Sequence, residues 1–121
     1  MSSTDNRKRL VAILAADAAG YSRLMAADEA ATVAALDVAR AVFRDRIESN
    51  QGRVIDMAGD SVLAVFDIAT GAVSAALSVQ AALDAASRGE SDDRRMRFRI
   101  GVHLGDVIQI FRIINGWAGG Q

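Results

Sequence analysis

Two aspartates, each followed or preceded by glycine at the end of an apolar run, carry the chemistry most open to this chain. Asp17 closes Leu10-Val-Ala-Ile-Leu-Ala-Ala-Asp17 and is followed by Ala18-Ala19-Gly20-Tyr21. Asp60 lies in Gly59-Asp60-Ser61, between Arg53-Val-Ile-Asp-Met57 and Ser61-Val-Leu-Ala-Val-Phe66. Mg²⁺ takes hard oxygen ligands, commonly one or two carboxylates together with substrate phosphates. The small residues after Asp17 would let backbone N–H groups approach a phosphate, and a helix starting just beyond would add a favourable dipole. If the two strands are neighbours, their turns converge. Two ions about 3.5–4 Å apart could then activate a nucleophilic oxygen and steady a leaving phosphate. Each aspartate also has a plain structural reading, as a turn or hairpin residue.

Other polar residues carry weaker signals. Asp56, four residues before Asp60, either faces the same cleft and accepts a hydrogen bond from a base amino group, or faces solvent. Arg95, Arg97 and Arg99 form a basic stripe that reads as a solvated strand face. His103 is the only histidine and reads as structural, because no acidic residue is spaced to orient it. Met25, Met57 and Met96 are scattered and read as core.

These residues sit in 121 residues, enough for one domain or part of one, with 51% hydrophobic and 24% charged residues. With no cysteine, disulfides, thiolate metal sites and thiol catalysis are excluded, and one histidine rules out a His-cluster site. A net charge of −1 gives no reason to expect nucleic acid or an anionic membrane as partner. The apolar run at 10–16 is too short to span a bilayer, so a cytoplasmic protein, or the cytoplasmic part of one, is expected.

The elements that must hold the two aspartates follow from periodicity. Residues 1–7 read as a disordered leader. Residues 10–16 suit a strand buried on both faces. Gly20 permits a sharp turn, and Asp28 is a candidate N-cap for a helix to about Ser49, with Val33, Leu36, Phe43 and Ile47 inward. Asn50-Gln51-Gly52 stops it. Strands at 53–57 and 61–66 form a hairpin. A second helix spans 70–87, with Val73, Ala76, Leu77 and Leu83 inward, and 89–94 is a charged loop. Met96, Phe98, Ile100 and Val102 alternate with Arg95, Arg97, Arg99 and Gly101, the period of a half-exposed strand. Gly105-Asp106 reads as a turn before a last strand at 107–110. The order β-α-β-β-α-β-β predicts an α+β fold: a ferredoxin-like mixed β-sheet with helices on one face. The tail at 110–121, apolar and then glycine-rich, fits none of this.

Three ordered segments, Arg9 to Met25 (with Asp17-Ala-Ala-Gly-Tyr-Ser-Arg-Leu24), Gly52 to Phe66, and Phe98-Arg-Ile-Gly-Val-His-Leu-Gly-Asp-Val-Ile108, resemble the class III adenylate/guanylate cyclase catalytic domain of bacterial type. The resemblance covers roughly residues 8–109 and implies the nucleotide cyclase fold, incomplete at the C-terminus. It implies that Asp17 and Asp60 hold two divalent ions, Mg²⁺ or Mn²⁺, with the Ala18 carbonyl as a further ligand. It also implies that Ala19, Gly20 and Tyr21 contact phosphates. The reaction would convert ATP, or GTP, into the 3′,5′-cyclic nucleotide and pyrophosphate in intracellular signalling. The partner would be a second cyclase domain, in a homodimer or heterodimer with the site split across the interface.

The chain departs from that pattern twice. Asp56 stands where many adenylate cyclases carry a base-reading lysine. After Ile108 no Gly-Asp-x-Val-Asn-x-Ala-Ala-Arg-like segment follows, and Asn115, in Ile-Ile-Asn-Gly-Trp, does not match its asparagine. The metal half of the site is therefore expected and the transition-state half is not. Losing one preorganised donor can cost about 10²–10³ in rate. A C-terminally truncated, weak or inactive cyclase is expected, with a frame change after Gln109 one origin that the coding DNA would reveal. The alternatives are a non-catalytic module that binds metal-nucleotide or pairs with an intact cyclase, and a plain α/β binding domain in which both aspartates only shape turns.

Overall fold

The computed structural model describes residues 10–106, together with 108 and 112. The leader at 1–7, the strand expected at 107–110 and the tail at 110–121, Asn115 included, lie outside them apart from Ile108 and Arg112. Seven elements follow in order: β1 (Leu10–Ala18), α1 (Tyr21–Ala27), α2 (Glu29–Ser49), β2 (Gly52–Ala58), β3 (Ser61–Phe66), α3 (Ala69–Ala86) and β4 (Phe98–Asp106). The sheet order is β2-β3-β1-β4. This is the expected α+β, ferredoxin-like arrangement. Every pairing is antiparallel, so the mixed sheet of the sequence reading is an antiparallel one among the described strands.

Strand alternation divides the core. Ala12, Leu14, Ala16 and Ala18 of β1 join Val62, Ala64, Phe66 and Phe98 beneath α2 and α3, which contribute Leu36, Phe43, Ile47, Val79 and Leu83 among others. The Phe43 and Phe98 rings meet edge to face, centroids 5.1 Å apart. Val11, Ile13 and Leu63 form a small second cluster through the opposite set of side chains. Asp17 belongs to that opposite set, since side chains alternate faces along a strand.

α2 begins as expected: the Asp28 carboxylate accepts from the Ala31 N–H at 3.1 Å. The inward stripe differs from the expectation. Val33 is 43% exposed, while Thr32 is buried beside Leu36, Ala39, Phe43 and Ile47. Thr32 tolerates burial because its hydroxyl donates to the carbonyls of Leu24 (2.8 Å) and Asp28 (2.7 Å), tying α1 to α2. In α3, Val73 and Leu77 point outward and Ala72, Ala75 and Val79 inward beside Leu83, with Ala76 partly buried. Close approach of this helix to the sheet selects small residues rather than large apolar ones.

The end of the described chain also departs from expectation. Gly105 and Asp106 form no turn. β4 continues through them, pairing Val11 with Gly105 and Leu10 with Asp106. At its other end it starts only at Phe98, so Arg95, Met96 and Arg97 precede it. Val102, expected inward, is 39% exposed at this sheet edge.

Candidate metal and phosphate site

The β1–β3 ladder brings the two aspartates together. It runs from Ala12↔Phe66 to Ala16↔Val62. Just beyond Ala16, Ala18 finds its acceptor in the neighbouring turn: its N–H donates to Asp60 Oδ2 at 3.0 Å. The turn is short because only Gly59 and Asp60 separate the closing pair Ala58↔Ser61. Gly59 has φ 56°, the left-handed backbone that two-residue hairpin turns demand. Asp60 is half-buried, as is Asp17.

Asp17 has a cation beside it. Arg99, its register partner on β4, donates from Nε to Asp17 Oδ1 at 2.9 Å. Both side chains are substantially exposed, so the pair contributes roughly 0–1 kcal/mol to stability. Next to it a depression of about 360 Å³ is lined by Ala15, Ala16, Asp17, Arg99, Ile100 and Gly101. Gly101 faces Ala15 across the ladder, and a Cβ there would meet nothing within 4 Å. A second depression, about 370 Å³, lies between α1, α2 and α3 against Leu24, Val38, Leu83 and Met96; neither aspartate lines it. The chemistry points to the first.

Beyond Asp17 the chain turns sharply. The Ala19 N–H donates to the Arg97 carbonyl at 2.8 Å, which commits it to the sheet rather than to a phosphate. Gly20 adopts φ 67° and opens α1, whose first N–H groups have no intrahelical partner. Of the three expected phosphate contacts, Gly20 and Tyr21 thus remain at a helix start, and Ala19 N–H does not.

Known proteins share this architecture and sequence. The sequence profile of the "Adenylate and Guanylate cyclase catalytic domain" matches residues 4–113. The chain belongs to this family. It is 44% identical over 109 residues to "Putative adenylate cyclase 3" of Rhizobium meliloti (strain 1021), covering 89% of this chain and 19% of that protein. It is similar to the crystal structure of an adenylate/guanylate cyclase/hydrolase from Silicibacter pomeroyi, with TM-score 0.72, 37% identity, and coverage of 83% of this chain and 59% of that one. The guanylate cyclase domain of RhGC from Catenaria anguillulae, solved in complex with GTP, shares the fold at TM-score 0.68 and 19% identity, over 82% of this chain and 58% of that one. The chain thus spans less than a fifth of its curated relative and under two thirds of these solved chains.

Within this cyclase-family domain the remaining candidates are placed as follows. Asp56 reaches the face of Asp17 through an irregularity. The β2–β3 register shifts between Val54 and Asp56, so Asp56 pairs with Leu63, which itself pairs with Ala15. An unbroken ladder would have set Ile55 there. Backbone spacings put Asp56 on the order of 12 Å from Asp17, two strands across and two residues along. His103 lies on the same face opposite Ile13 and is exposed. The three arginines do not form one stripe: Arg95 Nε donates to the Ser87 carbonyl, Arg97 pairs with Asp92 at 3.3 Å, and Arg99 meets Asp17. Met57 and Met96 flank the core without full burial.

Two residues escaped the sequence reading. Arg99 is one of five basic residues between 88 and 99, and only the β1–β4 register singles it out. Arg40 reaches from α2 to the β2–β3 turn, where its Nη2 donates to the Gly59 carbonyl at 2.6 Å. Nothing in its sequence neighbourhood marks it. Among the described residues no group of three His, Cys, Asp or Glu side chains converges as a metal site. Two carboxylates and a main-chain carbonyl are an all-oxygen set, which suits Mg²⁺ or Mn²⁺ completed by phosphate oxygens and water. Among the described residues, no helix is long and apolar enough to cross a membrane.

Proposed function

We propose that this domain supplies the metal-and-phosphate half of a nucleotide cyclase site that turns ATP into 3′,5′-cyclic AMP and pyrophosphate. The observation that carries the reading is the Ala18 N–H to Asp60 bond, which holds the second carboxylate against the strand that ends in the first. Asp17 and Asp60 would hold the divalent ions, Mg²⁺ or Mn²⁺, with the Ala18 carbonyl beside them. When bound, these ions lower the pKa of the ribose 3′-hydroxyl and neutralise the triphosphate. The start of α1, at Gly20 and Tyr21, faces phosphate oxygens with unpaired N–H groups and the positive end of a short helix dipole. A divalent ion at Asp17 would free Arg99, whose guanidinium could then meet phosphate oxygens. In the reaction the 3′-oxygen bonds to the α-phosphorus, the bond from that phosphorus to the bridging oxygen breaks, and pyrophosphate leaves. The 3′ proton passes to water. Asp56 can accept a hydrogen bond from a base amino group, which both adenine and guanine carry. ATP is preferred over GTP because the 44% identical relative is named for adenylate cyclisation.

A second reading rests on a specific absence. These 121 residues carry no Gly-Asp-x-Val-Asn-x-Ala-Ala-Arg-like run after Asp106, hence none of its donors for charge developing at the α-phosphorus. By themselves they would be weak or inactive, and would act as a module that binds metal-nucleotide and pairs with a cyclase domain that brings those donors. Such pairing would run in the cytoplasm, where ATP is. The test is cyclic AMP and cyclic GMP production from ATP and GTP with Mn²⁺ or Mg²⁺. The chain is assayed alone and mixed with an intact cyclase, beside an Asp17→Ala, Asp60→Ala double variant. Product from the chain alone, lost in the double variant, supports an autonomous cyclase. Product only in the mixture supports the module. If the double variant matches wild type in nucleotide binding and in the mixture, both aspartates only shape turns and the cyclase reading fails.

A further inference from the structure

We propose that Arg40 is a positioning residue: it anchors the β2–β3 turn so that the Asp60 carboxylate stays against β1, where a divalent cation would meet it. This rests on reading Asp60 as a metal ligand. The turn has little packing of its own. Gly59 is exposed, and a Cβ built on it would meet no atom within 4 Å. Its positive φ is a conformation that glycine leaves readily. Two bonds hold the turn from opposite sides. On one, Arg40 Nη2 donates to the Gly59 carbonyl at 2.6 Å from the helix layer. On the other, the Ala18 N–H donates to Asp60 Oδ2 at 3.0 Å from the sheet. Releasing the first leaves the turn held by its closing pair, Ala58↔Ser61, and by the Ala18–Asp60 bond alone. The Arg40 Nε is buried and unpartnered, so the guanidinium keeps this reach while giving up solvation. That makes the anchor a conformational device rather than a chance surface contact.

The sign of one measurement separates this role from simple electrostatics. A positive charge near Asp60 opposes cation binding, so removing it should tighten Mn²⁺ if charge alone mattered. Removing an anchor should weaken Mn²⁺. Arg44, one turn further along α2, supplies a charge-matched control: it contacts Met57 Sδ at 3.7 Å and lies 3.9 Å from Glu48.

The experiment compares wild type with Arg40→Met, Arg40→Lys, Arg44→Met and Asp60→Ala in the full chain. It reads amide exchange at Ala18 without metal, Mn²⁺ affinity from the EPR signal of free ion, and thermal melting. Arg40→Met is expected to speed Ala18 exchange about tenfold and weaken Mn²⁺ about fivefold, on the scale of one lost hydrogen bond. Arg40→Lys, which can still donate to one carbonyl, should stay within about twofold of wild type, and Arg44→Met likewise. Unchanged Ala18 exchange in Arg40→Met overturns the proposal, as does tighter Mn²⁺ binding. If Arg40→Met does not fold, Arg40→Leu, which also lacks a donor, carries the same test. If Asp60→Ala binds Mn²⁺ as wild type does, the metal reading of Asp60 fails, while Ala18 exchange still decides whether Arg40 positions the turn.

Discussion

Replacing Asp60 by Asn and by Ala separates the structural work of this carboxylate from its chemical work. Ala18 is buried, and its N–H has Asp60 Oδ2 as acceptor at 3.0 Å. A hydrogen bond to a charged acceptor contributes about 1.5–3 kcal/mol, and one to a neutral acceptor about 0.5–1.5 kcal/mol. Asn keeps an oxygen of the same reach, so Asp60→Asn should lose about 1 kcal/mol. Ala leaves the Ala18 donor without a partner in a partly buried place, so Asp60→Ala should lose about 2–3 kcal/mol. At this chain length each kcal/mol lowers the melting temperature by about 4 °C.

Cation binding follows a different order. The neutral amide of Asn is a poor substitute for a carboxylate, so both variants should lose at least about tenfold in Mn²⁺ affinity despite unequal stabilities. Urea unfolding gives the first series and Mn²⁺ titration the second. Equal stability of all three proteins would refute the Ala18–Asp60 bond. Wild-type Mn²⁺ affinity in Asp60→Asn would refute the ligand role even if the stability order held.

Three further outcomes are expected. Arg99→Ala frees the Asp17 oxygen that Arg99 holds at 2.9 Å, so Mn²⁺ alone should bind a few-fold tighter while Mn²⁺-ATP binds more weakly, with stability within about 1 kcal/mol of wild type. Isothermal titration with each ligand reads the opposed signs, and a change of the same sign in both would refute the cation-placeholder view. Gly52→Ala would put a Cβ 2.6 and 2.8 Å from Cζ and Cδ2 of the buried Phe66 ring, so urea unfolding should show a loss of about 1–3 kcal/mol; a change under about 0.5 kcal/mol would mean the ring moves freely. The Asp93 carboxyl lies below its ordinary value, chiefly because the Ser91 hydroxyl donates to it at 2.7 Å. A carboxylate depressed in the folded state adds stability above its unfolded pKa that is lost as pH falls through the folded one. Ser91→Ala should therefore move the Asp93 NMR titration upward and shrink that small contribution, and an unmoved titration would assign the shift elsewhere.

What the sequence made legible was whatever rests on local chemistry. Asp28 declared the start of α2 because a carboxylate caps the N–H groups of the first turn, and Gly59-Asp60 declared a hairpin because few residues accept positive φ. What it hid rests on register. Asp56 shares a face with Asp17 only because β2 shifts register between Val54 and Asp56, and a shift of one residue has no signature in composition. Arg99 meets Asp17 only because β4 pairs with the whole length of β1, through the Gly105-Asp106 pair that reads as a turn. Thr32 took the buried place expected for Val33 because two carbonyls satisfied its hydroxyl, and α1 went unread because seven residues with one buried side chain give too little periodicity.

The charge arrangement at the two aspartates, on the proposed reading, suits nucleotide binding more than catalysis by this surface alone. Two carboxylates brought to adjacent strand ends repel unless each has a positive partner. Here Arg99 serves Asp17 and the Ala18 N–H serves Asp60, while Arg40 fixes the turn between. On the proposed reading, metal-nucleotide arrival exchanges these partners: cation for Arg99 at Asp17, and Arg99 for solvent at the phosphates. The move of Arg99 to the phosphates would aid binding of the nucleotide, since the triphosphate is already charged in the ground state. The charge that grows on the α-phosphoryl oxygens during cyclisation needs donors aimed at it and at nothing else. On the same reading Arg40 stays committed to a turn carbonyl, and Arg99, once freed from Asp17, already meets the phosphates in the ground state. Rate would therefore come, on the proposed reading, from groups that approach from outside this surface. A second cyclase domain facing this surface would, on that reading, supply them.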